Sequence, residues 1–90
     1  MTNYKITLEI TKILEEGKCP RGHEVGEKFN YPEDIGKICP SAFHSIYPNI
    51  RVMASGGSFP WFETPNSTSN CCPDYKRPVV FNISREEVPE

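Results

Sequence analysis

Tyr4, Ile6, Leu8 and Ile10 alternate with Lys5, Thr7, Glu9 and Thr11, the period of two that a strand shows when one face is buried. The phase slips at Lys12 and Ile13, which predicts a bulge, an edge or the end of pairing there. Residues 15–18 read as a polar turn, and residues 19–23, CPRGH, as a compact loop too rich in Gly and Pro for a helix. Phe29 and Tyr31, two apart and preceded by Val25, predict a short second strand ending at Pro32. The period then changes. Ala42, Phe43, Ile46, Tyr47, Ile50, Met53 and Ala54 fall at i, i+3, i+4 and i+7 spacings, the stripe of a helix with one buried face.

That helix has clear ends. Pro40 suits its first position, where an N–H would go unpaired in any case, and this makes Cys39 the N-cap. Gly56 and Gly57 supply the positive φ at which it can stop after Ser55. Pro48 lies inside the stripe and predicts a kink near Tyr47. The expected core sets Phe43, Ile46, Tyr47, Ile50 and Met53 against Ile6, Leu8, Phe81 and Ile83. Residues 59–62, FPWF, form an aromatic cluster expected to fold back over the sheet, and residues 63–70 read as an exposed polar loop. A last strand is expected over residues 78–84, with Val79, Phe81 and Ile83 on one face, and a charged tail over residues 85–90. The order β, β, α, β predicts a single α+β domain over residues 1–90: a small, mostly antiparallel sheet with one kinked helix on one face.

Ninety residues bury only roughly 60 to 65% of the surface exposed by the unfolded chain. Domains of this size commonly add a disulfide, a metal or a partner subunit, so a homo-oligomer or protein partner fits the size as well as a metal does. The net charge is −2, with both signs interspersed and no run of Lys or Arg, which argues against nucleic acid. No apolar segment approaches the ~20 residues of a membrane span, and the first ten residues lack the pattern of a secretory signal. The expected compartment is therefore the cytoplasm, where even cysteine numbers point to metal or catalysis before disulfides.

Three of the four cysteines precede proline: Cys19-Pro20, Cys39-Pro40 and Cys72-Pro73. Random placement of four Cys and nine Pro in ninety residues gives about 0.4 such pairs. Proline after cysteine stiffens the backbone beside the sulfur and removes one N–H, which suits a loop that presents a ligand. With His23 as a fourth ligand, Cys19, Cys39 and Cys72 make a Cys₃His set soft enough for zinc, iron or an iron–sulfur cluster. A second reading makes Cys39, at the positive end of a helix, the nucleophile or redox thiol, with Cys19 or Cys72 as its resolving partner. A third is a non-enzymatic interaction module anchored on Phe59, Trp61 and Phe62. Against all three stands a plainer account, in which free cysteines are small hydrophobes. In that account His23 bonds its own loop, His44 is a helix-surface residue, Asp74 belongs to a turn and Arg21 is a solvated charge. The vicinal pair Cys71-Cys72 reads as one outward and one inward thiol.

The set Cys19-Pro20-x-Gly22-His23-x-x-Gly26-x-x-Phe29, Gly36-x-Ile38-Cys39-Pro40-x-Ala42, Gly56-Gly57-x-Phe59-Pro60-Trp61, Cys72-Pro73-Asp74 and Pro78-Val79-Val80-Phe81 resembles a family of uncharacterised bacterial and archaeal proteins of about this length. The resemblance spans nearly the whole chain and implies a shared fold but no reaction. In that pattern Cys72 is the expected cysteine and Cys71 an extra one.

Overall fold

A computed structural model describes residues 3–15, 18–74 and 76–88. Strands β1 (Asn3–Ile13), β2 (Lys28–Tyr31), β3 (Ser67–Cys71) and β4 (Val79–Val88) form one antiparallel sheet in the order β2-β1-β4-β3. Helix α1 (Pro40–Ala54) covers one face. The alternation that defines β1 places Ile6, Leu8 and Ile10 under the helix, beside Val79, Phe81 and Ile83 of β4, all fully or almost fully buried. The expected slip in β1 is a register shift between Ile10 and Lys12, after which Lys12 pairs with Val80 and Ile13 with Val79. Within the turn expected before the Cys19 loop, Glu16 and Gly17 lie outside the described residues.

The helix starts with Pro40 in its first turn and Cys39 at the N-cap, and it runs without a break through Pro48, a residue that cannot donate to the carbonyl of His44. Gly56, at φ 89°, takes the left-handed conformation that ends it. Its buried stripe is Ala42, Ile46, Ile50 and Met53, rotated slightly from the expected one. Phe43 is half-buried and Tyr47 is 37% exposed. Their rings lie along the flank of α1, where Phe43 stacks on Tyr31 at 6.3 Å and meets Tyr47 at 5.2 Å. Ala42, in the first turn, is buried on the sheet-facing side at 1% exposure, where a larger side chain would have to displace close-packed neighbours.

Three other expectations need correction. Residues 67–71 are an edge strand, where a loop was expected; Ser and Asn compete for their own backbone and hide strand character, but β4 offers a full ladder, with Thr68 opposite Ile83 and Asn70 opposite Phe81. Thr68 is buried. The supposed charged tail continues β4 to Val88, with Glu86 opposite Lys5 and Arg85 opposite Ile6, while Pro89 and Glu90 lie outside the described residues. Arg85 donates to the carbonyls of Met53 (2.9 Å) and Gly57 (2.6 Å), so it ties the C-terminal end of α1 to the sheet. The aromatic cluster divides: Phe62 is buried, but Trp61 is 69% exposed and stacks on Phe59 at 4.4 Å. The turn before α1 contains one short 3₁₀ helix, Ile35–Lys37.

Candidate functional site

Antiparallel pairing decides which loops meet. The end of β1, the start of β4 and the end of β3 lie side by side, since Ile13 pairs with Val79 and Cys71 with Val80. The N-terminus of α1 sits over the same end. The loop after β1, the start of α1 and the turn between β3 and β4 each carry a Cys-Pro pair, and together Cys19-Pro20, Cys39-Pro40 and Cys72-Pro73 line one cavity of about 410 Å³, with Arg21, Asp74 and Arg77 also on its wall. Segments separated by up to fifty-three positions in sequence thus bring three half-buried cysteines to one place.

Each cysteine is held differently. The Cys19 loop closes with the N–H of Gly22 donating to the carbonyl of Cys19 at 3.0 Å, a turn that Gly22 completes at φ 89°. Cys72 is gripped twice by Val79: its N–H donates to the Val79 carbonyl at 3.0 Å, and its sulfur accepts the Val79 N–H at 3.2 Å. Asp74 secures the same turn by accepting the backbone N–H groups of Lys76 (2.9 Å) and Arg77 (3.4 Å) and pairing with the Arg77 guanidinium at 3.3 Å. The Lys76 N–H is the first reason why the Asp74 carboxyl titrates below its usual range. Cys39 is the N-cap, but its side chain makes no capping hydrogen bond. Its backbone N–H instead donates to Nε2 of His23 at 3.0 Å.

That contact defines the role of His23. Because Nε2 accepts, Nδ1 carries the proton and donates to Oε1 of Glu27 at 3.1 Å. The ring is 8% exposed and meets Phe29 and Phe81 edge-on at 5.7 and 6.3 Å. Both nitrogens are engaged, and His23 borders a neighbouring cavity with Cys19 rather than the three-cysteine one. Three of the four residues in the expected Cys₃His set therefore line one cavity, and the fourth, His23, lies behind Cys39 as a support. Glu27 is a residue that sequence reasoning missed; the signal was its position four after His23 with Gly26 between them. Its carboxylate also accepts the Glu24 N–H at 2.7 Å, the leading cause of its lowered pKa, and the bond from His23 acts in the same direction.

Cys71 is exposed, and all four cysteines are free thiols, so the vicinal pair is one outward and one inward residue. The Cys71 carbonyl accepts the Ser45 hydroxyl at 2.9 Å, which pins α1 to the edge strand. His44 is exposed and lies away from the cysteines, on a second cavity. Among the described residues, no three His, Cys, Asp or Glu side chains stand close enough to hold an ion as they are placed. No helix among them is long and apolar enough to cross a membrane. Comparisons with family models, curated proteins and solved structures give no match for this chain.

Proposed function

We propose that the protein is a small cytoplasmic metal-binding protein whose Cys19, Cys39 and Cys72 hold zinc, iron or an iron–sulfur cluster. The observation that carries this reading is the convergence of three Cys-Pro loops from distant parts of the chain on one cavity. Two features of the surroundings support it. The Val79 N–H directed at the Cys72 sulfur is the kind of hydrogen bond that stabilises negative charge on a ligating sulfur, and the His23–Glu27 pair fixes the backbone of Cys39 in the way outer groups fix metal ligands. As placed, the sulfurs are not close enough to share one ion, so ligation requires the three loops to draw together around it. Three thiolates leave one tetrahedral position for an outside ligand. This same role is what we propose for the Cys-Pro motifs of the small prokaryotic proteins that the chain resembles.

Elemental analysis and a visible absorption spectrum of anaerobically purified protein test the proposal. Close to one equivalent of zinc or iron, or a cluster spectrum, is expected in the native chain and in Cys71→Ser, with a clearly lower content in Cys72→Ser. Folded protein that takes up neither zinc nor iron on attempted reconstitution would refute it.

A further inference from the structure

Next to the three-cysteine cavity, and sharing Arg21 and Pro40 with it, is a second cavity of about 590 Å³. Its floor is apolar: Ile38 is buried beneath it, Phe43 and Tyr47 present the flank of α1, and Ile35 closes the far side. This volume lies within the roughly 300 to 1,000 Å³ of small-molecule sites. Apart from the Tyr47 hydroxyl, the polar side chains on its wall are basic. Arg21 is a permanent cation, His44 is a potential one, and among the described residues no carboxylate lines the wall, although Asp and Glu outnumber Lys and Arg by twelve to ten in the chain. The acidic side chain closest in sequence, Asp34, is engaged elsewhere, accepting the Asn30 N–H at 2.7 Å and pairing with Lys37 at 3.2 Å. Arg21 has no ion pair of its own among the described residues, and its guanidinium is exposed at the rim.

From this combination we infer that the second cavity binds a small aromatic carboxylate, its ring against Phe43 and Tyr47 and its carboxylate on Arg21. A flat ring matches the aromatic flank, where face and edge contacts add to simple burial. The guanidinium fork matches a carboxylate in geometry as well as in charge, which a lysine in its place would not. A neutral ligand of the same shape would use the floor and leave Arg21 idle. No cysteine lines this cavity, so the inference uses none of the proposed metal ligands.

The test is an amide chemical-shift titration of ¹⁵N-labelled protein with sodium benzoate and, separately, with benzamide as the neutral isostere. Saturable shifts at Phe43, His44 and Tyr47 are expected, with benzoate binding about tenfold or more tighter than benzamide, as a charge-assisted pair implies. In Arg21→Gln, benzoate should lose about that tenfold while benzamide binding changes by less than about twofold. Because Arg21 is exposed, the variant's spectrum should otherwise match the parent's. Cys71→Ser, at the exposed thiol that lines neither cavity, should bind benzoate as the parent does, and the metal content of the sample should not alter the ratio of the two affinities. Shifts that do not saturate by about 10 mM, equal affinity for the two probes, or shifts centred on the loop at Cys72, which lies off this cavity, would each overturn the inference.

Discussion

His23 shows how one side chain can look like a ligand in a sequence and serve as a support in a structure. Its spacing from Cys19 suits a metal site, but spacing does not say where the ring nitrogens point. Folding buries the ring between Phe29 and Phe81 and engages one nitrogen with the Cys39 N–H and the other with Glu27. A buried imidazole with both nitrogens paired costs little to keep, whereas an unpaired Cys39 N–H would cost about 1 to 3 kcal/mol. Glu27 makes this arrangement sensitive to acid. Its folded-state pKa lies below its ordinary value of 4.5, first through the Glu24 N–H and then through His23. A carboxylate lowered on folding contributes stability that is complete above the unfolded value and is lost as pH falls through the folded one. Chemical denaturation between pH 7 and pH 3 should therefore show a steeper loss below about 4.5 in the native protein than in Glu27→Gln. Parallel curves for the two would mean that Glu27 does not hold the His23 loop in the folded state.

At the scale of elements, the regions that read correctly are those where burial alone sets the pattern. In β1, Ile6, Leu8 and Ile10 alternate because one face meets the helix, and even the slip at Lys12 registers in the sequence. The first turn of α1 is legible because proline and the N-cap follow from backbone hydrogen bonding alone. What stayed hidden depends on partners far along the chain. Ser67–Cys71 is a strand only because β4 lies beside it, and residues 85–88 belong to β4 only because β1 returns to pair with them. The helix face was read one flank too wide, since an apolar stripe does not reveal how closely the sheet approaches. Ile50 and Tyr47 separate the two versions of that face: Ile50→Ala should cost about 2 to 5 kcal/mol in a urea titration and Tyr47→Ala less than half as much. Equal losses would restore Tyr47 to the core.

At the scale of the whole molecule, the sheet order β2-β1-β4-β3 delivers three Cys-Pro loops to one end and leaves Arg85 to close the other. The excess of Cys-Pro pairs was visible in composition, and that those pairs share a place follows from antiparallel pairing between strands far apart in sequence. A ninety-residue chain gains stability from anything that binds only its folded form, and a metal spanning all three loops would cross-link β1, α1 and the β3–β4 turn at once. Extended X-ray absorption fine structure at the edge of the bound metal tests this account most directly. It predicts about three sulfur neighbours per mononuclear ion at ~2.3 Å, falling to about two in Cys19→Ser. For an iron–sulfur cluster, inorganic sulfide adds to the sulfur shell, and an iron–iron distance accompanies it. A shell dominated by nitrogen and oxygen, or one unchanged by removing Cys19, would contradict the proposal that the Cys-Pro cavity is the metal site.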